Sequence, residues 1–193
     1  MADIMHASVS ERLKQETLAN HTSIEDMLQP SLASIRNHEH YARVLNAFYG
    51  YFYPLWERIG QFISTDILPD IAERRTTELI LKDLDALKMP VQGIKEASRL
   101  PAISSVDEAL GAMYVMEGST LGGRYISKML LKNTDADLVA DQVHFFSGYK
   151  EETGAKWTGF KTALDTKVQN PDAAVRAANE TFELMESWMK ENI

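Results

Sequence analysis

The chain has no cysteine among its 193 residues, which removes disulfide staples, Cys-ligated zinc, iron–sulfur clusters and thiol nucleophiles in one step. Basic residues are outnumbered, with 20 Lys and Arg against 28 Asp and Glu and a formal charge of −8. Nucleic acid, whose binding demands a basic face, is therefore not expected as a ligand, nor is a polybasic membrane anchor. Long hydrophobic runs are missing too. The longest nearly apolar stretch, Val44 to Trp56, is interrupted by Asn46 and Pro54 and falls short of the roughly 20 residues of a membrane span. Residues Met1 to His6 include an acid and lack the basic and apolar parts of a signal peptide, so a cytoplasmic protein is expected. Nor does any stretch alternate apolar and polar residues convincingly, the pattern of a half-buried strand.

What is present is helical punctuation. Hydrophobic residues make up 45% and charged residues 25% of the chain, the balance of a globular protein, and the length predicts one domain over 1–193 at roughly 150 residues per domain. Ser8 and Glu11 form a capping-box pair that opens a helix from about Val9 to Leu28, stopped near Pro30. Asn37 is a good N-cap for a second helix running to about Ile63, which Pro54 is expected to kink. A third covers roughly Asp70 to Lys88. Ser105 and Glu108 form another capping-box pair, opening a long segment from Val106 to about Lys132. A short helix is expected near Asp135 to Asp141 and a longer one over Glu152 to Lys167. Asn170-Pro171 starts the last, with proline at the first helical position. The expected fold class is all-α, a single helical domain.

Two features admit a functional reading beside a packing one. On a wheel of 100° per residue centred on His21, Leu13, Thr17, Ile24 and Leu28 fall within about 80° on one side and Leu18 about 60° on the other. His21 is thus expected inside the buried stripe, with Lys14 and Glu25 on the same face. A carboxylate four residues on can orient one ring nitrogen and leave the other free for a metal. The plainer alternative is a core histidine satisfied by its neighbours; among the other histidines, His144 is next in line as a ligand.

The second feature is a run of glycines inside the long fourth segment. Gly111, Gly118 and Gly122 fall within about 40° of one line, with Gly123 beside them and Tyr114 and Tyr125 at the flanks. Each mid-helix glycine costs about 1 kcal/mol relative to alanine, so Gly118, Gly122 and Gly123 together forgo roughly 3 kcal/mol. Either a second helix approaches closely along the stripe, or a flat ligand lies against bare backbone. A lone imidazole on one helix and a side-chain-free stripe on another are the two walls that a planar iron macrocycle requires, with space opposite the histidine for a diatomic gas.

At these residues a family resemblance becomes specific. Thr17-Leu18-Ala19-Asn20-His21-Thr22-Ser23-Ile24-Glu25 resembles the proximal helix of haem oxygenases, and Tyr114-Val115-Met116-Glu117-Gly118-Ser119-Thr120-Leu121-Gly122-Gly123-Arg124 resembles the distal helix of their bacterial, biliverdin-producing branch. Ala47-Phe48-Tyr49-Gly50-Tyr51 and Phe145-Phe146-Ser147-Gly148-Tyr149 agree as well, so the likeness runs in order over most of the chain. It implies a haem-oxygenase-like bundle that takes haem as both substrate and prosthetic group. It implies ring opening to biliverdin, carbon monoxide and ferrous iron with O2 and electrons from a ferredoxin or reductase.

Carried over, the resemblance makes His21 the iron ligand, Glu25 its supporting carboxylate, Lys14 a propionate contact, and Gly118 and Gly122 the bare backbone on the oxygen side. Tyr114 is a candidate for the pocket wall; Phe160 and Phe182 are further candidates, although an aromatic at helical spacing is core about four times in five. Two positions depart from the family pattern. Leu18 stands where some members have a second lysine, and Ser119 stands where animal-type members have an aspartate. A hydroxyl holds water but cannot serve as the same acid, so Ser119 implies a different proton delivery. Lys161 is the candidate for the family's basic residue on the penultimate helix. The rival readings are a haem-binding or haem-delivery protein of the same fold without oxygen chemistry, and a di-iron protein, which would require several inward acids and histidines.

Overall fold

The computed structural model describes residues 7–74, 77–90 and 93–193. Regular structure among these is helical throughout, with no strand: α1 Val9–Glu16, α2 Leu18–Ala33, α3 His38–Ile59, α4 Glu78–Ala86, α5 Val106–Lys132, α6 His144–Ser147, α7 Thr153–Lys167 and α8 Pro171–Asn192, joined by turns, 3-10 segments and two long connections on either side of α4. No helix among the described residues is long and apolar enough to cross a membrane.

Local chemistry sets most of the boundaries. Ser8 and Glu11 close a reciprocal capping box, Glu11 N–H donating to Ser8 Oγ and Ser8 N–H to Glu11 Oε2. Asn37 accepts from the amide of His40 and Asn170 from that of Ala173. At Ser105 the box is only half formed. The hydroxyl accepts from Glu108 N–H, but the Glu108 carboxylate is taken instead by the amide and hydroxyl of Ser104 and by Arg176.

The first long helix of the sequence reading is two helices. Thr17, fully buried, donates its hydroxyl to Leu13 O at 2.7 Å and sits at φ −107°, ψ 1°, which ends α1 and starts α2 at Leu18. Such back-bonding competes with regular helix geometry. Nor does Pro30 stop α2, which continues to Ala33; α3 likewise passes through Pro54 and ends at Ile59, short of Ile63. The helix expected over Asp70 to Lys88 is a 3-10 turn at Ile71–Glu73 followed by α4, with residues 75–76 outside the described part. The short helix expected at 135–141 is replaced by turns and a 3-10 segment at Ala140–Gln142.

The core sits between α3, α5, α6 and α8. Phe48, Phe52, Phe145 and Phe146 form an aromatic cluster with ring centroids 5.0–6.2 Å apart, arranged edge-on or tilted as aromatic quadrupoles prefer. Helix α8 is rich in buried alanine (Ala173, Ala174, Ala177, Ala178), which lets α5 approach it until a Cβ on Gly111 would collide with the Ala174 carbonyl. Helix α2 lies against the same α8, through Asn20 Nδ2 donating to Asn179 Oδ1 at 2.8 Å. Helix α8 is therefore a floor under both α2 and α5.

Candidate functional site

Helices α2 and α5 are fastened to each other at both ends of a shared strip. At one end the Tyr114 phenol approaches the Thr17 side chain, and burial pushes that phenol up from its ordinary pKa. At the other, Asn133 Nδ2 donates to Ile35 O at 2.7 Å across 98 positions of sequence, and a ring nitrogen of His38 pairs with Asp137 O at 3.1 Å across 99. Thr17 and Tyr114 stand at almost the same separation. The two helices consequently run in the same direction and in one register. His21 and Gly118 each lie one turn beyond the Thr17–Tyr114 tie, and Glu25 and Gly122 one turn further.

His21 is not buried as the wheel suggested; its side chain is 48% exposed. The buried positions of the stripe are Leu13, Thr17 and Ile24, which centre it to one side of His21, while Leu18, counted as core, faces outward at 57% exposure. The imidazole Nε2 lies 3.4 Å from Glu25 Oε1, and the ring leans on Phe182 of α8 with centroids 5.7 Å apart. One ring nitrogen thus has a carboxylate neighbour, and the other has no hydrogen-bond partner among the described residues. Lys14, on the last turn of α1 and exposed, is unpaired among the described residues.

Opposite, the glycines divide into two kinds. Gly111 and Gly123 are packing residues: a Cβ on Gly123 would come within 2.5 Å of Phe146 O, as one on Gly111 would collide with Ala174. Gly118 and Gly122 are not. A Cβ on Gly122 would meet nothing within 4 Å, and one on Gly118 only the far edge of Trp157 at 4.0 Å. Among the described residues nothing packs closely over those two positions, so the close-packing explanation holds for Gly111 and Gly123 and fails for Gly118 and Gly122. Leu121 and Tyr125 flank them, 47% and 68% exposed.

Ser119 directs its hydroxyl back to Met116 O at 2.7 Å. Phe160 is fully buried and does not line the open strip, whereas Tyr114 is half-buried with its ring 5.6 Å from that of Trp157. His144 is held by Asp141 at 3.0 Å, its amide donating to Asp83; it anchors α6 and is not at the strip.

Beyond Glu25 and Gly122 the strip opens into a recess of about 590 Å3 lined by Ala33, Arg36, Tyr125, Lys128, Met129 and Lys132, among others. Among the described residues no three His, Asp or Glu side chains converge to cage a metal ion. An iron held here must bring its remaining donors with it, as a porphyrin does. Apolar exposed side chains on both walls, a side-chain-free backbone stretch and a single available imidazole nitrogen fit that group.

Sequence reasoning missed the charges behind the glycines. Glu117, directly before Gly118, is buried, and its carboxylate accepts from Arg74 Nη1 at 2.7 Å and from Tyr149 Oη at 2.8 Å. A glutamate in line with Leu110 and Met113 on an otherwise apolar helix face was the available signal; Arg74, in a run of charged residues, gave none.

Comparison with known proteins accords with this geometry. The family model described as Heme oxygenase matches residues 7–191. The haem oxygenase of Xanthomonas campestris pv. campestris (strain 8004) is 32% identical over 137 residues, 71% of this chain and 78% of that one. In fold the chain is similar to the NO- and CO-bound haem oxygenase of Neisseria meningitidis, with a TM-score of 0.79 at 19% identity over 96% of this chain and 92% of that one. It is also similar to haem oxygenase-1 of Synechocystis sp. PCC6803 in complex with haem, with a TM-score of 0.76 at 16% identity over the same shares. With a family model spanning nearly all of its length and a relative above 30% identity, this chain belongs to the haem oxygenase family, enzymes that degrade haem as substrate and prosthetic group.

Proposed function

We propose that haem lies between α2 and α5, with its iron on the ring nitrogen of His21 that is not turned to Glu25. The observation that carries this reading is the open space over Gly122, with its neighbour Gly118, on a helix held in register with His21. Bound haem supplies the iron at which oxygen and electrons are used and is itself the molecule opened, to biliverdin, carbon monoxide and ferrous iron.

The chain's own residues do the rest. Glu25 orients the imidazole and strengthens it as a donor. Lys14, an unpaired flexible cation, meets a propionate. Gly118 and Gly122 leave room for O2 and bring backbone close to it. Tyr114 closes the end of the strip through Thr17. Ser119 donates its hydroxyl to Met116 O, so in this arrangement it is not the proton donor.

Electrons come from a ferredoxin or reductase. The cations Lys128 and Lys132 around the recess, beside an Arg36 that faces Asp135 at 3.6 Å, suit an acidic carrier even on a chain of net charge −8. The reaction is assigned to the cytoplasm and to one domain over 1–193.

The test is a hemin titration followed by reduction in air. The wild-type protein should give a Soret band and then a bile pigment as the band decays. His21→Ala should lose the ligand spectrum, and added imidazole should restore it. A His21→Ala spectrum identical to wild type would move the ligand elsewhere. Haem absorption that persists under reduction in air would favour the carrier reading.

A further inference from the structure

The long helix that carries Gly118 has a charged interior on one side. Glu117 and Arg74 have side chains 3% and 0% exposed and pair at 2.7 Å. The pair is not isolated. Arg74 Nε donates to Asp70 Oδ1 at 3.0 Å and Arg74 Nη1 also to Lys156 O at 3.0 Å. Lys156 Nζ in turn donates to Asp70 Oδ2 at 3.0 Å and to Glu73 Oε2 at 2.9 Å. Tyr149 completes the Glu117 carboxylate from the other side, its ring 6.0 Å from the Arg74 guanidinium carbon. The turn that delivers Tyr149 is special, with Gly148 at φ 52° and Lys150 at φ 53°, a left-handed conformation that side chains adopt only at some energetic penalty.

A buried ion pair is poor stabilisation, because desolvating both charges offsets most of their attraction, and apolar replacements of similar volume often do as well. What such a pair does provide is a charge fixed in place within low-dielectric surroundings. That charge lies beside the stretch where oxygen chemistry is assigned. Ser119, the neighbour on the other side of Gly118, offers no acid and has committed its proton to Met116 O.

We propose that Glu117 is a positioning residue of the oxygen side. Its carboxylate, held by Arg74 and Tyr149 behind Gly118, supplies the fixed negative field that the chain lacks at Ser119 and orients water and the incoming diatomic through that field. Arg74 tempers the charge, and the Asp70, Glu73 and Lys156 cluster ties it to the start of α7. The inference rests on haem lying between α2 and α5.

The test is the C–O stretching frequency of carbon monoxide bound to the reduced haem complex, which reads the local field and not turnover. Glu117→Gln keeps the shape and removes the negative charge, leaving Arg74 in excess, so the frequency should fall. Arg74→Met removes the positive charge and should raise it. Opposite signs from the two variants are what a field predicts and what general loosening does not. If either variant fails to fold, Tyr149→Phe leaves the carboxylate less neutralised and should also raise the frequency, and Arg74→Lys, which keeps the charge, should leave it near wild type. Frequencies unmoved in Glu117→Gln and Tyr149→Phe, with haem still bound, would overturn the proposal. A wild-type protein with no haem spectrum would instead overturn the site assignment of the preceding section, and this inference with it.

Discussion

Gly122→Ala is expected to make the ligand-free protein more stable and its haem complex weaker, a reversal that few other positions offer. The backbone at Gly122 is not left-handed, and a Cβ there meets nothing within 4 Å. The added methyl therefore brings only helix propensity, about 0.5–1 kcal/mol. For a chain of this size 1 kcal/mol corresponds to about 2–4 °C in Tm, so the variant should melt about 1–4 °C higher than wild type. Gly123→Ala, one residue on, is the control. Its Cβ would press on Phe146 O at 2.5 Å, and overpacking of this kind costs about 1–3 kcal/mol, so its Tm should fall. With hemin the order changes: the Gly122 methyl occupies space assigned to the macrocycle, and a penalty of about 1–3 kcal/mol weakens binding roughly 5–150-fold. Thermal melts of the ligand-free proteins and Soret titrations of the same samples decide the matter. A Gly122→Ala protein that melts below wild type, or binds hemin as well as wild type does, would refute the reasoning.

Other expectations can be checked on the same protein. Glu25→Gln should keep hemin binding but shift the ferric spectrum and slow ring opening, because the amide orients the imidazole without the carboxylate's charge. Lys14→Ala should lower affinity for hemin several-fold yet leave affinity for its dimethyl ester unchanged, since only the free propionate meets the ammonium. Burial pushes the Asp70 carboxyl up, but Lys156 and Arg74 hold it below its ordinary value of 3.8. Asp70 therefore contributes stability above that pH and loses it as pH falls through the lower folded value. The stability difference between wild type and Asp70→Asn should shrink as pH drops below about 3.8 in acid unfolding curves.

Much of this architecture was legible one element at a time. The capping residues Ser8, Asn37, Ser105 and Asn170 announced their helices because each satisfies free amides locally, and α5 spans Val106–Lys132 as expected. The bare stripe was legible because glycine in mid-helix is unfavourable unless something uses it. What the wheel misjudged was burial at His21. It assumed one uninterrupted helix, whereas the Thr17 hydroxyl bonds back to Leu13 O, and it scored Leu18 as core because a leucine on a face open to ligand reads like one packed inside. The split of the glycines into packing and open positions depends on what α6 and α8 bring against them, Phe146 and Ala174, which are distant in sequence. The Arg74–Glu117 pair was hidden for a related reason: a charged residue reads as solvated until a partner from another segment is found for it.

The twin fastenings between α2 and α5 also constrain how anything of a porphyrin's width enters. Rods tied near both ends resist sliding past each other; any widening of the space between them comes from bowing. If haem binds between them as proposed, the α5 stretch between Tyr114 and Asn133 would bend most readily at Gly118 and Gly122, over which nothing packs closely, and the same missing side chains that leave the space would also supply the spring.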